Sequence, residues 1–171
     1  RQMCIRDSNV SCVGRCDKAP VAVVGKNTIE YATPEVVDRA VKNKNIKPAK
    51  INPEPLNFYL KSGGYTTYKK CLANKLKRND IIRELKNSNL RGLGGAGFPA
   101  GLKWEIVSRQ KEKPLLVVNI DEGEPGTFKD KYYLENKPHT FLEGMLIASW
   151  VIKSDHIYIY LRDEYLSLIH I

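Results

Sequence analysis

Five glycines crowd one short stretch, Arg91-Gly-Leu-Gly-Gly-Ala-Gly97-Phe-Pro-Ala-Gly-Leu-Lys-Trp104. Glycine is used where the backbone needs positive φ or where a ligand must approach it closely. Pro99 closes the loop and prepares a helix start, whose free N–H groups and positive dipole end suit an anionic phosphate. Lys103 falls in the first helical turn, where the dipole alone disfavours a cation, so a bound anion makes sense of it. Gly92, Gly94 and Gly97 spell G-x-G-x-x-G. The segment before them, Asp80 to Leu90, is helical in pattern rather than a strand, which argues against a Rossmann-type loop. No Gly-Lys-Ser/Thr follows, so a Walker A loop is excluded as well. The structural alternative is a tight packing turn between two helices.

A second chemical feature lies downstream. Val117-Val-Asn119-Ile-Asp121-Glu122-Gly-Glu124-Pro-Gly126-Thr-Phe-Lys-Asp130 follows the apolar run Leu115–Val118 at its carboxyl end. Ligands of open α/β sheets lie beyond the carboxyl ends of strands. Carboxylates repel phosphate, so these belong at the other end of a nucleotide, accepting hydrogen bonds from ribityl or ribose hydroxyls. Asn119 both donates and accepts, which suits a flavin ring edge. Taken alone, the turn reads first as solvated surface; paired with the glycine loop, it reads as part of a site.

The third feature is Cys12-Val-Gly-Arg-Cys16, two thiols with a glycine between them. Iron–sulfur clusters are held by four cysteine thiolates. Cys71 is too isolated to complete a set, and a Cys12–Cys16 disulfide is the bland alternative. No Ser-His-Asp or Cys-His nucleophile pattern competes, and His139 and His156 are scattered.

The elements that position these features follow from periodicity. A β-like run, Val21–Val24, precedes a helix opened by Thr33-Pro34-Glu35, where Thr33 is a good N-cap and Pro34 suits the first helical position. Residues 42–64 are rich in Lys, Asn and Pro without apolar periodicity and read as a linker. Tyr68, Leu72 and Leu76, then Ile81, Ile82 and Leu85, have helical spacing, with the second helix starting at Asn79-Asp80. A helix over about 100–109, a buried strand at Leu115–Val118, a helix over about 138–152 and a strand at His156–Tyr160 complete an α/β pattern. The two strands are expected to run parallel, joined by a crossover.

Composition fits this frame. With 42% hydrophobic and 27% charged residues and a formal charge of +9, the chain reads as a globular domain with a basic surface facing an acidic partner subunit. No aromatic-interleaved basic run supports nucleic-acid binding. No apolar stretch reaches membrane-helix length and no signal-peptide core is visible, which suggests no direct membrane insertion and a cytoplasmic location.

The two ends read differently from the rest. Met3–Ser8 is encodable by ATGTGTATAAGAGACAG plus one base, and Leu166–Ile171 by CTGTCTCTTATACACAT plus one base, its reverse complement. Both resemble a sequencing-transposon end. Residues 1–8 and 166–171 are therefore expected to be adapter artefact, leaving Cys4 and His170 without functional weight.

Together, Arg91–Trp104 and Asn119–Asp130 resemble the family of NADH-binding flavoprotein (51 kDa) subunits of complex I. The family's relatives include the diaphorase subunits of NAD-reducing hydrogenases and NAD-dependent formate dehydrogenases. Phe141-Leu-Glu-Gly-Met145 and Tyr158–Tyr165 extend the match, and the N-terminal fusion is most similar to the formate dehydrogenase beta subunit.

The resemblance implies an α/β fold in three parts. Residues 9–41 would be the tail of a thioredoxin-like [2Fe–2S] domain, 42–64 the linker, and 65–165 the N-terminal part of an FMN-binding domain. It implies FMN and NAD(H) as cofactors, with Gly92, Gly94, Gly95 and Gly97 lining the FMN and nicotinamide pocket and Lys103 meeting the flavin phosphate or the nucleotide. Asn119, Asp121 and Glu122 would hold FMN; Phe98, Trp104 and Glu124 would contact the nicotinamide nucleotide. Cys12 and Cys16 would be metal ligands, half of a [2Fe–2S] set, so this piece alone would carry no stable cluster; a [4Fe–4S] site would lie beyond Tyr165. Ala100 departs from the threonine or serine of many relatives. The partners would be other subunits of a multi-subunit redox complex. A non-catalytic docking remnant is the competing expectation.

Overall fold

The computed structural model describes residues 12–93, 95–162 and 165. The two end segments read as adapter, and Gly94 of the glycine loop, lie outside them. A 3-10 turn at Cys16–Lys18 leads to an antiparallel pair, β1 (Ala22–Val24) and β2 (Asn27–Ile29), and then to α1 (Pro34–Lys42). Thr33 caps α1 as expected, its Oγ1 accepting from Val36 N at 3.4 Å. The hairpin partner β2 is not anticipated by the sequence pattern; Gly25, at φ +65°, turns the chain back.

Residues 42–64 are not purely linker, because they contain α2 (Leu56–Lys61). Leu56, Phe58 and Leu60 of this helix are exposed, which is why no amphipathic signal marks it. What anchors it is tertiary: Tyr59 donates its hydroxyl to Glu143 at 2.5 Å and packs edge-on against Tyr65. Glu143 also accepts from Tyr65 N (2.7 Å) and Tyr68 N (3.3 Å), capping α3 (Thr66–Leu72) from a distant helix. Burial, reinforced by Glu143, pushes the Tyr59 phenol up to about 12.

Next come α4 (Arg78–Asn87), α5 (Ala100–Ser108), β3 (Leu116–Ile120), α6 (Lys129–Asn136), α7 (Pro138–Ile152) and β4 (Ile157–Leu161). Helix α4 starts slightly before Asn79-Asp80: Lys77 is the N-cap residue and its N–H donates to the Asp80 carboxylate at 3.3 Å. Helix α6 is rich in charged and polar residues and is hidden, in sequence, in the continuation of the acidic turn. Strands β3 and β4 pair in parallel, Leu116 opposite Ile157 through Ile120 opposite Leu161, with α7 in the crossover.

One core cluster joins Ile82 of α4 to Val151 and Ile152 of α7, with Trp104, Val107 and Leu116 packed against it. A second joins Ile120 to Tyr165, with Val118, Phe141 and Leu161 around them. The expected buried strand is buried on one face only: Leu115 is 60% and Val117 62% exposed. Successive strand side chains point to opposite faces, and only the face carrying residues 116, 118 and 120 meets the core. No described helix is long and apolar enough to cross a membrane.

Helix α5 crosses α4 at Gly101, where an added Cβ would lie 2.7 Å from Lys86 N and 3.1 Å from Ile82 O. This fifth glycine of the rich stretch is a packing glycine. Gly101→Val is expected to destabilise the chain by about 1–3 kcal/mol through overpacking, read as a lower urea midpoint. An unchanged midpoint would contradict this crossing.

Candidate functional site

The glycine loop connects α4 to α5 and is closed at its neck by backbone hydrogen bonds. Arg91 and Pro99 form an antiparallel bridge, Gly92 N donates to Phe98 O at 2.9 Å, and Ala100 N donates to Leu90 O at 2.8 Å. Arg91 Nη1 adds a bond to Gly97 O at 3.2 Å. Between these ties, Gly95 and Gly97 hold left-handed φ values of +68° and +58°, and a Cβ on either would meet nothing within 4 Å. The glycines thus serve backbone conformation, and the space beside them is open to an approaching molecule. Leu93 and Phe98 are exposed on the same loop.

Lys103 lies in the first turn of α5, exposed, and no described residue bonds or pairs with its ammonium. Trp104 is half-buried and divides its ring between the first core cluster and a cavity of about 790 Å³. That cavity runs between α4, α5, α7 and β3. Its walls include Leu85, Leu90, Val117, Phe141 and Met145, with polar groups from Thr140, Tyr133 and Asn119. A mostly apolar hollow with a few polar groups is the usual form of a ligand site. Of the residues singled out in the sequence, it brings Trp104 and Asn119 together. Gly92, Gly95, Gly97, Phe98, Lys103, Asp121, Glu122 and Glu124 are not in its lining. Tyr133, on the unanticipated α6, is a lining residue that sequence reasoning missed.

Beyond β3, two adjacent carboxylates have opposite fates. Asp121 is anchored through its main chain, its N–H donating to Asn119 Oδ1 at 2.9 Å, while no described group bonds its carboxylate. Glu122 turns inward at φ +46°, and its side chain is fully buried. One carboxylate oxygen accepts from Asp130 N at 2.8 Å; the other accepts from Lys131 N at 3.1 Å and Tyr165 Oη at 3.2 Å. Lys129 Nζ is 3.7 Å away. Glu122 therefore satisfies the free N–H groups at the start of α6, where the helix dipole favours an anion. Burial, then Glu122, pushes the Tyr165 phenol upward. The named partners of the Glu122 carboxylate thus all belong to the protein itself. Glu124 is exposed, and its carbonyl accepts from Thr127 N (3.1 Å) and Oγ1 (2.5 Å).

Cys12 and Cys16 are exposed free thiols rather than a disulfide, and Cys71 is buried elsewhere. Gly14, between the pair, donates its N–H to Cys12 Sγ at 3.4 Å, and Gly126 N of the acidic turn donates to Cys16 Sγ at 3.3 Å. Among the described residues no group of three or more His, Cys, Asp or Glu could hold a metal. Two thiolates do not complete the four that an iron–sulfur cluster requires. The described residues therefore do not fit a whole cluster.

Helix, glycine loop and helix, then a strand ending in an acidic turn and a parallel partner strand, define a mixed α/β domain of a type other than Rossmann. Residues 85–171, just over half of the chain, match the family described as the Nuo51 FMN-binding domain, the FMN-binding domain of the complex I 51 kDa subunit, and the chain belongs to that family. It is 44% identical over 115 residues to an F-type NADH-quinone oxidoreductase subunit of Rhizobium meliloti (strain 1021), a match covering 67% of this chain and 27% of that protein. To the F-type NADH-quinone oxidoreductase subunit of Aquifex aeolicus (strain VF5) it is 39% identical over 135 residues, covering 78% of this chain and 31% of the relative. An air-oxidised NAD+-reducing [NiFe]-hydrogenase crystal structure matches with a TM-score of 0.71 at 25% identity, over 93% of this chain and 30% of the other. The chain thus spans less than a third of each of these proteins.

The division between the two carboxylates is testable. Glu122→Ala strands buried donors and is expected to cost about 2–4 kcal/mol, whereas Asp121→Ala is expected to stay within about 0.5 kcal/mol. Equal losses for the two variants in chemical denaturation would contradict the assignment.

Proposed function

We propose that this chain belongs to an electron-transfer flavoprotein subunit that moves hydride between NAD(H) and FMN and passes single electrons to iron–sulfur clusters. The observation that carries the reading is the family match over the segment holding both the glycine loop and the acidic turn. Names of the relatives support an NAD(H)-linked redox role in a multi-subunit complex.

The residues fit FMN in part. Gly95 and Gly97 leave open space beside a left-handed main chain, Lys103 carries a cation that no described residue pairs with, and Asn119 and Asp121 present polar atoms beyond β3. Bound FMN would supply the exchange between two-electron and one-electron chemistry; the protein supplies orientation and electrostatics. In this reading the main chain of Gly92, Gly94, Gly95 and Gly97 lets the cofactor approach, and Lys103 neutralises a phosphate. Asn119 and Asp121 hold the ring edge and ribityl hydroxyls. Phe98, Trp104 and Glu124 contact the nicotinamide nucleotide. Glu122 enters as a positioning residue, holding the turn that presents Asp121.

The parent complex we favour is an NAD-dependent formate dehydrogenase, on the resemblance of the N-terminal fusion and of Tyr158–Tyr165. An NADH-quinone oxidoreductase or an NAD-reducing hydrogenase diaphorase is the alternative, and both relatives and fold match are of those kinds. Residues 9–41 are read as the tail of a thioredoxin-like [2Fe–2S] domain on the resemblance of the Cys12–Cys16 pair. Cys12 and Cys16 would then be two of four thiolates, the others and the [4Fe–4S] ligands coming from outside the described residues.

In the full-length parent, Gly95→Val, strained at its left-handed φ, and Lys103→Ala are each expected to abolish flavin absorbance near about 450 nm. Normal flavin content in purified Gly95→Val protein would contradict the site. Formate-dependent NAD+ reduction by the intact complex is the outcome expected of the favoured parent; its absence beside NADH-dependent quinone or hydrogen chemistry would favour the alternatives.

A further inference from the structure

The cysteine loop and the acidic turn lie more than a hundred residues apart in sequence, yet several bonds fasten them together. Gly126 N donates to Cys16 Sγ at 3.3 Å. Arg162 spans both, one guanidinium nitrogen donating to Glu122 O at 2.9 Å and the other to Cys12 O at 3.2 Å. Tyr165, which holds the Glu122 carboxylate, also lies against the loop: a Cβ on Gly14 would come 2.8 Å from its hydroxyl. Gly14 is glycine twice over, for that closeness and for its φ of +64°.

Lys131 is the least expected member. It is only 5% exposed, and lysine is rarely buried without a specific use. Its backbone N–H donates to Glu122 and its ammonium to Gly14 O at 2.8 Å, so one residue grips the turn with its main chain and the cysteine loop with its side chain. Burial, with Arg15 adding repulsion, pushes this ammonium down to about 8; Glu135, Asp17 and Glu30 partly offset the loss. A group kept buried at that cost, with a single backbone carbonyl as its side-chain acceptor among the described residues, is better explained by what it fixes in place than by what it adds to stability.

The geometry points to Lys131 as a positioning residue that locks the Cys12–Cys16 loop onto the Glu122-held turn, so that a change at the cysteines reaches the turn and a change at the turn reaches the cysteines. The lock is a property of the protein alone. It does not require FMN, so its failure and the failure of the functional reading are distinguishable.

The test uses the 171-residue chain, with amide hydrogen exchange read by mass spectrometry and thiol alkylation by iodoacetamide. Alkylating the exposed Cys12 and Cys16 in the unmutated chain disturbs the Gly126 N–H bond. Exchange across residues 122–131 is then expected to speed up on the order of tenfold, with residues 138–152 unchanged. Lys131→Met keeps an apolar stem and drops the ammonium; by loosening the Gly126 N–H bond that favours the Cys16 thiolate it is expected to lower the alkylation rate of Cys16 on the order of tenfold, with Lys131→Arg in between. Buried Cys71 reports whether the fold survives. Unchanged exchange in the turn after alkylation overturns the proposal, as does an unchanged Cys16 rate in Lys131→Met with Cys71 still protected. Should Cys71 open in that variant, the alkylation arm on the unmutated chain decides alone.

Discussion

A carboxylate sealed from water has to be met by donors, and Glu122 is the point at which this structure meets that demand. Its two oxygens take the amides of Asp130 and Lys131 in the first turn of α6 and the Tyr165 hydroxyl. Because α6 is mostly polar and contributes little to either core cluster, its N-terminus is fixed by this bond set more than by apolar burial. Pulling Glu122 inward also drives its backbone into the left-handed region, a strain that persists only where the surroundings over-determine it. The geometry of the whole turn between β3 and α6 follows from that one buried side chain.

The outward consequence is chemical. With Glu122 turned in, Asp121 and Asn119 are left at the carboxyl end of β3, where open α/β sheets place their ligands. The glycine loop approaches the same domain from the α4–α5 side, tied at its neck so that Gly95 and Gly97 can leave their surroundings open. Glu143 repeats the device elsewhere in the domain, reaching from α7 to hold the start of α3 and the Tyr59 hydroxyl. Glu122 and Glu143 thus hold the starts of α6 and α3, while an apolar cluster joins α4 to α7.

What could be read from the sequence was what is local. Pro138 at a helix start, Thr33 before Pro34, and the glycine loop placed after a helix rather than a strand each announce themselves within a few residues. The parallel strand pair followed from helix and strand alternation alone. Helix α2 was not legible because its anchor is Tyr59 binding a residue on α7, while its apolar side chains face outward. Likewise, Glu122 and Asp121 are indistinguishable in a string of acids; the partners that separate them lie at residues 130, 131 and 165. The half-exposed β3 defeats a sequence reading because an apolar run looks the same whether one face or both are covered. Family resemblance supplied the cofactor; the geometry supplied the distinction between neighbouring carboxylates.

An experimental structure of the FMN-loaded full-length parent tests that distinction most directly. It is predicted to show the Asp121 carboxylate within hydrogen-bond reach of the ribityl hydroxyls and Glu122 still accepting from the amides of residues 130 and 131. A Glu122 carboxylate turned onto the flavin, with Asp121 directed elsewhere, would contradict the account.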